Sequence, residues 1–351
     1  MPILSIVGAR PQFIKEAIVQ RELLDKGIEE ILVHTGQHYD ANMSDVFFSS
    51  LKMREPDYNL NIGSGGHGHM TGLMMIKLEE IMMDRKPEMV LLYGDTNSTL
   101  AGALVAAKLK IPIAHVEAGL RQKPKDMPEE INRVLTDHSS SLLFCPSLTG
   151  VRNLEQEGIT RGVHFVGDVM FDIYLATQAD FSTSIAKGLR LQAGKYVVVT
   201  MHRDFNVDKK EILTAALESL STLAKEIEVI FPLHPRTRRR IQEFGLSSHL
   251  SALKVIEPIG YLEMMGLVSG AHSVVTDSGG LQKEAYFAGK RAVILMEDSG
   301  WRELVDGGWN ILAQPADIAR SVLDMTSVPY PQGIYGDGHA AGKVVEILEG
   351  L

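Results

Sequence analysis

The sequence predicts an α/β protein made of two doubly wound halves, and three observations carry that prediction. Short apolar runs alternate with longer amphipathic stretches along most of the chain. The runs are apolar at consecutive positions, as strands of a parallel sheet are when helices cover both of its faces. The chain has 351 residues, more than the roughly 250 to 300 at which one hydrophobic core stops growing, and the alternation restarts near its middle.

In the first half the strands are PILSIV (2–7), EEILVHT (29–35), EMVLLYG (88–94), IPIAHVE (111–117) and SLLFCP (141–146). Between them lie PQFIKEAIVQRELLDKG (11–27) and GLMMIKLEEIMMDRK (72–86), where apolar residues recur every three and four positions, the period of one helix face. The second half repeats the plan. Its strands are KYVVVTM (195–201), IEVIFPL (227–233), ALKVIEPI (252–259), HSVVTDS (272–278) and RAVILM (291–296), and its helices include DKKEILTAALESLSTLAKE (208–226) and QKEAYFAG (282–289). No sequence repeat relates the halves. The join is expected in VHFVGDVMFDIYL (163–175), which gives a first domain over 1–166 and a second over 167–334. The tail GHAAGKVVEILEGL (338–351) reads as a short helix, and the segment 335–351 is expected to pack back on the first domain.

Composition narrows the function. Apolar residues make up 45% and charged residues 23%, the balance of a soluble globular protein. No apolar stretch reaches the ~20 residues that span a bilayer, so no membrane partner is expected. No basic leader or small-residue cleavage site is visible at the start, and a cytoplasmic location is expected. The net charge of −9 argues against nucleic acid as a partner, because phosphate backbones demand concentrated Lys and Arg. A phosphate ligand has to be held by a few local cations. The single cysteine, Cys145 in LLFCPS, reads as a small core residue with no second thiol for a disulfide or a zinc cluster.

In doubly wound sheets, ligands gather where loops leave the carboxyl ends of the strands, and with two facing sheets the cleft between them is the expected site. GARPQFIK (8–15) occupies such a strand end. It fits neither the GxxxxGK[ST] phosphate loop nor the GxGxxG dinucleotide fingerprint. Pro11 suits a first helical turn, however, and Arg10 and Lys15 beside a helix dipole form an anion site. TDSGGLQKEAYFAG (276–289) is its counterpart. Asp277 ends a strand, Ser278, Gly279 and Gly280 open a helix whose amides can approach a phosphate, and Glu284 stands one turn in, where a carboxylate can take two ribose hydroxyls. Together the two elements describe a diphosphate clamped across the cleft.

Acidic residues mark other strand ends: Asp95 in LLYGDTNS, Glu117 in IAHVEAGLR, and Glu129 and Glu130 in MPEEINR. Carboxylates gathered where water is excluded suit proton transfer near neutrality, although Glu129 also fits a charge at a helix N-terminus. His202 in VVVTMHRD and His234 in FPLHPRT end strands of the second half. PRTRRR (235–240) reads as a solvated helix face, with Arg236 a candidate ligand contact. No metal is expected. His34 and His38 are four apart, but Gly36 interrupts the helical geometry that HExxH needs, and His67 and His69 fall in GSGGHGHM, read as a loop.

The motifs GARPQFIK, HTGQHYDANM, GDTNSTLAGALVA, HVEAGLR, MPEEINRVLTDH, HPRT and TDSGGLQKEA, in this order and spacing, resemble the non-hydrolysing UDP-N-acetylglucosamine 2-epimerases. The resemblance implies two Rossmann-like domains facing a cleft (the glycosyltransferase-B fold), a UDP-amino sugar substrate, no metal, NAD or other cofactor, and a homodimer. It also implies Asp95, Glu117 and Glu129 as the acid–base group, with His202 beside the phosphates. GARPQFIK, TGQHYDANMSDVFF and HGHMTG are most similar to the branch that epimerises UDP-2,3-diacetamido-2,3-dideoxyglucuronate. In the reaction this implies, UDP leaves C1 as the C2 proton is lost, and the resulting 2-acetamidoglycal is protonated on its other face before UDP returns. Arg10, Lys15 and the amides of Ser278, Gly279 and Gly280 then stabilise the departing diphosphate.

Two stretches depart from the family pattern. The usual HRxEN reads HRDFN, with Phe205 in place of glutamate, and in LMEDSGWREL Met296 and Gly300 replace a charge pair. Both changes bear on uridine or sugar selection. A hydrolysing epimerase, a glycosyltransferase of the same architecture and a UDP-sugar binder without turnover stay open as readings.

Overall fold

The ten apolar runs are strands in the structure, a computed structural model that describes residues 2–36, 53–63 and 65–350 apart from the Arg10 side chain. In chain order the strands are β1 (Ile3–Val7), β2 (Glu30–His34), β3 (Tyr58–Asn59), β4 (Met89–Tyr93), β5 (Ile113–Val116), β6 (Leu142–Cys145) and β7 (Val163–Phe165). They continue with β8 (Tyr196–Thr200), β9 (Glu228–Pro232), β10 (Lys254–Ile256), β11 (Ser273–Thr276), β12 (Arg291–Ile294) and β13 (Ile311–Leu312). β3, β7 and β13 have no counterpart in the sequence reading, because two or three residues with partly exposed side chains make no apolar run.

The chain divides into two compact units, one of Met1–Leu175 with Gly333–Leu351 and one of Ala176–Gln332. Among the described residues each unit holds one sheet in which every pairing is parallel. The order is β3-β2-β1-β4-β5-β6-β7 in the first and β10-β9-β8-β11-β12-β13 in the second. In both, the chain builds outward from a central strand and then resumes on that strand's other side. The switch points fall between β1 and β4 and between β8 and β11, where diverging loops leave room for a ligand.

In the first unit Leu4, Ile6, Val33, Val90 and Leu92 pack on the helices His67–Arg85 and Asn97–Leu109. Met70, Met74, Leu78 and Met82, spaced by four, lay one buried stripe along the sheet. A stripe that starts at Met70 needs the helix to begin before it. It begins at His67 with Gly66 as its cap, so HGHM is the first turn of a helix rather than part of the expected loop. Residues 37–52 and Ser64, which include His38 and most of HTGQHYDANM, lie outside the described residues. The helix Arg10–Asp25 contacts β1, β2 and β4, and the C-terminal helix Ala340–Glu349 packs against it. Asp172 accepts the Ala341 amide at 2.7 Å and so holds the start of that last helix. The second unit packs Val197, Val199, Phe231, Val275 and Val293 on Leu213, Leu217 and Leu220 of the helix Lys210–Leu223. No helix among the described residues is long and apolar enough to cross a membrane.

Candidate active site

The strand ends of the first unit are fastened together by neutral groups. Gln12 accepts the Gly8 and Ala9 amides on Oε1, at 2.9 and 3.0 Å, and donates from Nε2 to the Tyr93 carbonyl and to Thr99 Oγ1, at 2.7 and 2.9 Å. It thereby ties the turn after β1 to the turn after β4 across the switch point. Gly8 is a steric requirement. A Cβ there would lie 2.2 Å from both Ser98 Oγ and Thr35 Oγ1, which are hydrogen bonded to each other.

The charged residues are set on this floor. Glu117 follows β5 with φ +74°, a left-handed backbone that costs a non-glycine residue on the order of 1–3 kcal/mol. Its buried carboxylate lies 2.5 Å from Lys15 Nζ. Lys15, expected at a diphosphate, is therefore the counter-ion of Glu117. Gly94, with φ +63°, backs this pair: a Cβ on it would stand 3.4 Å from Lys15 Nζ and 3.6 Å from Glu117 Oε1. Asp95 pairs with Arg133, which also holds Glu130 one turn earlier on the helix Pro128–Ser139. Burial pushes the Glu130 carboxyl above its usual range, against Arg133 and the Gln122 amide, which pull it down. Asn132 donates to the Asp95 carbonyl at 2.9 Å. Glu129 is half-buried in the first turn of the same helix. Arg133 and Asn132 are site residues beyond those the sequence predicts, and the Glu-x-x-Arg spacing of EEINR is the signal for the first of them. The Arg10 side chain lies outside the description.

In the second unit one carboxylate shapes the turn that carries His202. Asp277, fully buried after β11, accepts the His202 and Arg203 amides, both at 2.8 Å, and Asn206 Nδ2 at 3.1 Å, all on Oδ2. Its Oδ1 stands 3.1 Å from His202 Nδ1. Burial works to raise this carboxyl, but His202, the Arg203 amide and Asn206 hold it below the usual range. Asn206 also donates to the Leu295 carbonyl at 2.9 Å and so joins the end of β12 to the group. His234 caps the helix Pro235–Glu243 by accepting the Arg236 amide at 3.2 Å, and its ring centroid is 5.1 Å from that of His202. Burial first, and His202 next, lower its pKa.

Ser278 caps the helix Gly279–Phe287, accepting the Leu281 amide at 3.5 Å. A Cβ on Gly279 would meet nothing within 4 Å among the described residues, so the face of this helix start is open. Glu284 turns back toward the same start, 4.0 Å from where a Cβ on Gly280 would lie. Arg236 does not join this group. It is bound to Asp208 at 2.6 Å, a carboxylate that Arg240 shares at 2.9 Å. The loop with the departures is seated on the helix start as well. Trp301 donates its indole N–H to the Gly279 carbonyl at 2.8 Å, Lys283 Nζ lies 3.7 Å from a Trp301 ring centre, and Met296 Sδ accepts Gln282 Nε2 at 3.4 Å. Phe205 is exposed.

Two doubly wound units with their polar clusters at the topological switch points place the protein in the glycosyltransferase-B fold class. More narrowly, the chain belongs to the UDP-N-acetylglucosamine 2-epimerase family, whose model matches residues 21–349. It is 46% identical over 364 residues, with 100% of both chains covered, to a UDP-N-acetylglucosamine 2-epimerase homolog of Methanococcus maripaludis. It is also 46% identical over 361 residues, again with 100% of both covered, to the UDP-2,3-diacetamido-2,3-dideoxy-D-glucuronate 2-epimerase of Pseudomonas aeruginosa. The crystal structure of Methanocaldococcus jannaschii UDP-GlcNAc 2-epimerase in complex with UDP-GlcNAc and UDP superposes with a TM-score of 0.90 at 40% identity, covering 100% of each chain.

Proposed function

We propose that the protein is a non-hydrolysing 2-epimerase of a UDP-N-acetylhexosamine that works by eliminating UDP and adding it back. The observation that carries this reading is the set of carboxylates in the first unit, three on two cations: Glu117 buried on Lys15, and Asp95 and Glu130 gathered on Arg133. C2 of the sugar has no adjacent carbonyl, so its hydrogen is not acidic until the bond from C1 to the phosphate begins to break. A carboxylate then takes the C2 proton, the C–H electrons become the C1–C2 double bond, and the C1–O electrons leave with UDP. Protonation of the 2-acetamidoglycal on the opposite face and return of the phosphate oxygen to C1 give the epimer.

This needs one carboxylate that accepts and one group that delivers. Asp95, Glu117 and Glu129 take those roles in this reading, and Lys15 serves Glu117 rather than the phosphates. The departing diphosphate is assigned to His202 and to the open helix start at Ser278, Gly279 and Gly280, since donors fixed in advance stabilise developing charge without reorganisation, and Arg10 is assigned to it on its motif. Glu284 is assigned to the ribose. The named relatives support two substrates, UDP-GlcNAc with UDP-ManNAc as product, and the 2,3-diacetamido uronate analogue.

Incubation of both candidates in heavy water, followed by NMR, tests the reading. The expected result is one deuterium at C2 with little free UDP. Equal release of UDP and N-acetylmannosamine would instead show a hydrolysing epimerase, turnover only with an acceptor a glycosyltransferase, and UDP binding without turnover a binder. Inversion that keeps the original C2 hydrogen would end the proton-transfer reading. We also propose a homodimer. Leu73, Ile76 and Met83 form an exposed apolar stripe on the helix His67–Arg85, and Ile131 and Leu135 form one on Pro128–Ser139, surfaces that suit a second copy of the chain.

A further inference from the structure

The geometry points to His115 as a positioning residue for the acid–base group, held as an imidazolium and fixing the turn at Gly94 and Asp95 against the Lys15–Glu117 pair. The inference rests on the proton transfer proposed above. His115 lies on β5 two residues before Glu117 and is fully buried. Its Nε2 is 2.7 Å from the Gly94 carbonyl oxygen and its Nδ1 is 2.7 Å from Asp137 Oδ1. A carbonyl only accepts, so Nε2 carries a hydrogen.

Asp137 is equally buried, and burial works to raise its carboxyl, but His115 and Arg121 hold it below the usual range. Its other oxygen already accepts Arg121 Nη1 at 2.7 Å and the Gly119 amide at 3.1 Å. An ionised carboxylate has no hydrogen to give, so Nδ1 of His115 carries one as well. A neutral core histidine would need a donor on one side and an acceptor on the other. Both contacts here are acceptors, and no neutral tautomer serves them both.

This placement links the pieces that the reaction uses. Through Asp137 the ring is tied to the helix Pro128–Ser139, which carries Glu129, Glu130 and Arg133. Through the same carboxylate it holds Gly119, two residues past Glu117. Through Nε2 it holds Gly94, the residue that backs Lys15 and Glu117 and precedes Asp95. A shift of Gly94 would therefore displace two carboxylates at once.

The test has two parts. In protein labelled with nitrogen-15 at histidine, two-bond NMR correlation at neutral pH is expected to show a ring protonated at both nitrogens whose signal His115→Gln removes. A neutral His115 ring in the unmodified protein would overturn the inference even if the variant failed to fold. In the second part, His115→Gln is expected to lower kcat for C2 deuterium exchange by about 100-fold, the scale of a displacement of roughly 1 Å at reacting groups, with KM for the UDP-sugar and Kd for UDP little changed. Exchange at the unmodified rate, or loss of UDP affinity in step with kcat, would also overturn it. Absence of exchange in the unmodified protein would instead count against the proposed function, and the ring measurement would still decide the charge on His115.

Discussion

Replacing Lys15 with Met removes the counter-ion of a buried carboxylate. The side chains of Lys15 and Glu117 are 7% and 9% exposed, so both charges are out of water, and at 2.5 Å they share one charge-assisted hydrogen bond. An exposed pair would be worth about 1 kcal/mol or less. Stripping one partner from a buried pair costs about 3–5 kcal/mol, because the other charge is left uncompensated. Lys15→Met is expected to destabilise the first unit by about that amount. Glu117→Gln keeps an oxygen that accepts from the ammonium, so about 1–3 kcal/mol is expected. With both charges gone, the double variant should be less destabilised than the sum by about 1–3 kcal/mol. Activity should follow a different pattern, since both variants lacking the Glu117 carboxylate lose C2 exchange by about 10²–10⁴-fold. Both tryptophans, Trp301 and Trp309, belong to the second unit, so their fluorescence reports on that unit. Hydrogen exchange of the β4 and β5 amides reads it directly. Additive destabilisation, with no coupling, would refute the buried-pair reasoning, and undiminished C2 exchange in Glu117→Gln would remove Glu117 from the proton path.

Glu16 is fully buried, and burial first, then Glu30, raise its carboxyl well above the usual value. The folded state keeps this proton to a higher pH than the unfolded chain does. Its stability is complete below the ordinary carboxyl pKa and falls as pH rises toward the raised one, by up to about 1.4 kcal/mol per pH unit. Glu16→Gln should flatten that decline in a series of melting temperatures against pH, and an unchanged decline would contradict the assignment. Asp277→Ala strips the acceptor from two amides and Asn206, and titration calorimetry should show UDP binding weakened about tenfold or more. Ile76→Asp places a charge on the apolar stripe, and sedimentation should show monomers for the variant and a dimer for the unmodified protein. An unmodified protein that is already monomeric would dispose of the dimer.

The strands were legible wherever a run of four or more apolar residues had to be covered on both faces, as with β4 and β8. The start at His67 was misread because HGHM is polar at first sight. It is helical because Met70 begins the buried stripe, a fact about the sheet beneath it. Arg236 looked open to a ligand in PRTRRR, and Asp208, 28 residues earlier, takes it. His115 and Asp137 lie in HVEAGLR and MPEEINRVLTDH, where a core histidine and a helix aspartate carry no signal along the chain, and only the fold sets their atoms facing one another.

What the sequence determined by itself was the succession of strands and helices, the parallel doubly wound class and the family, because hydrophobic periodicity and motif order are local properties of the chain. What the tertiary structure alone decided was the pairing of charges. Lys15 and Glu117 are 102 residues apart and His202 and Asp277 are 75 apart. Charges so far apart along the chain meet because the parallel sheet sets the turns and helix starts after its strands side by side, and a buried charge takes the partner that the fold brings within hydrogen-bonding distance.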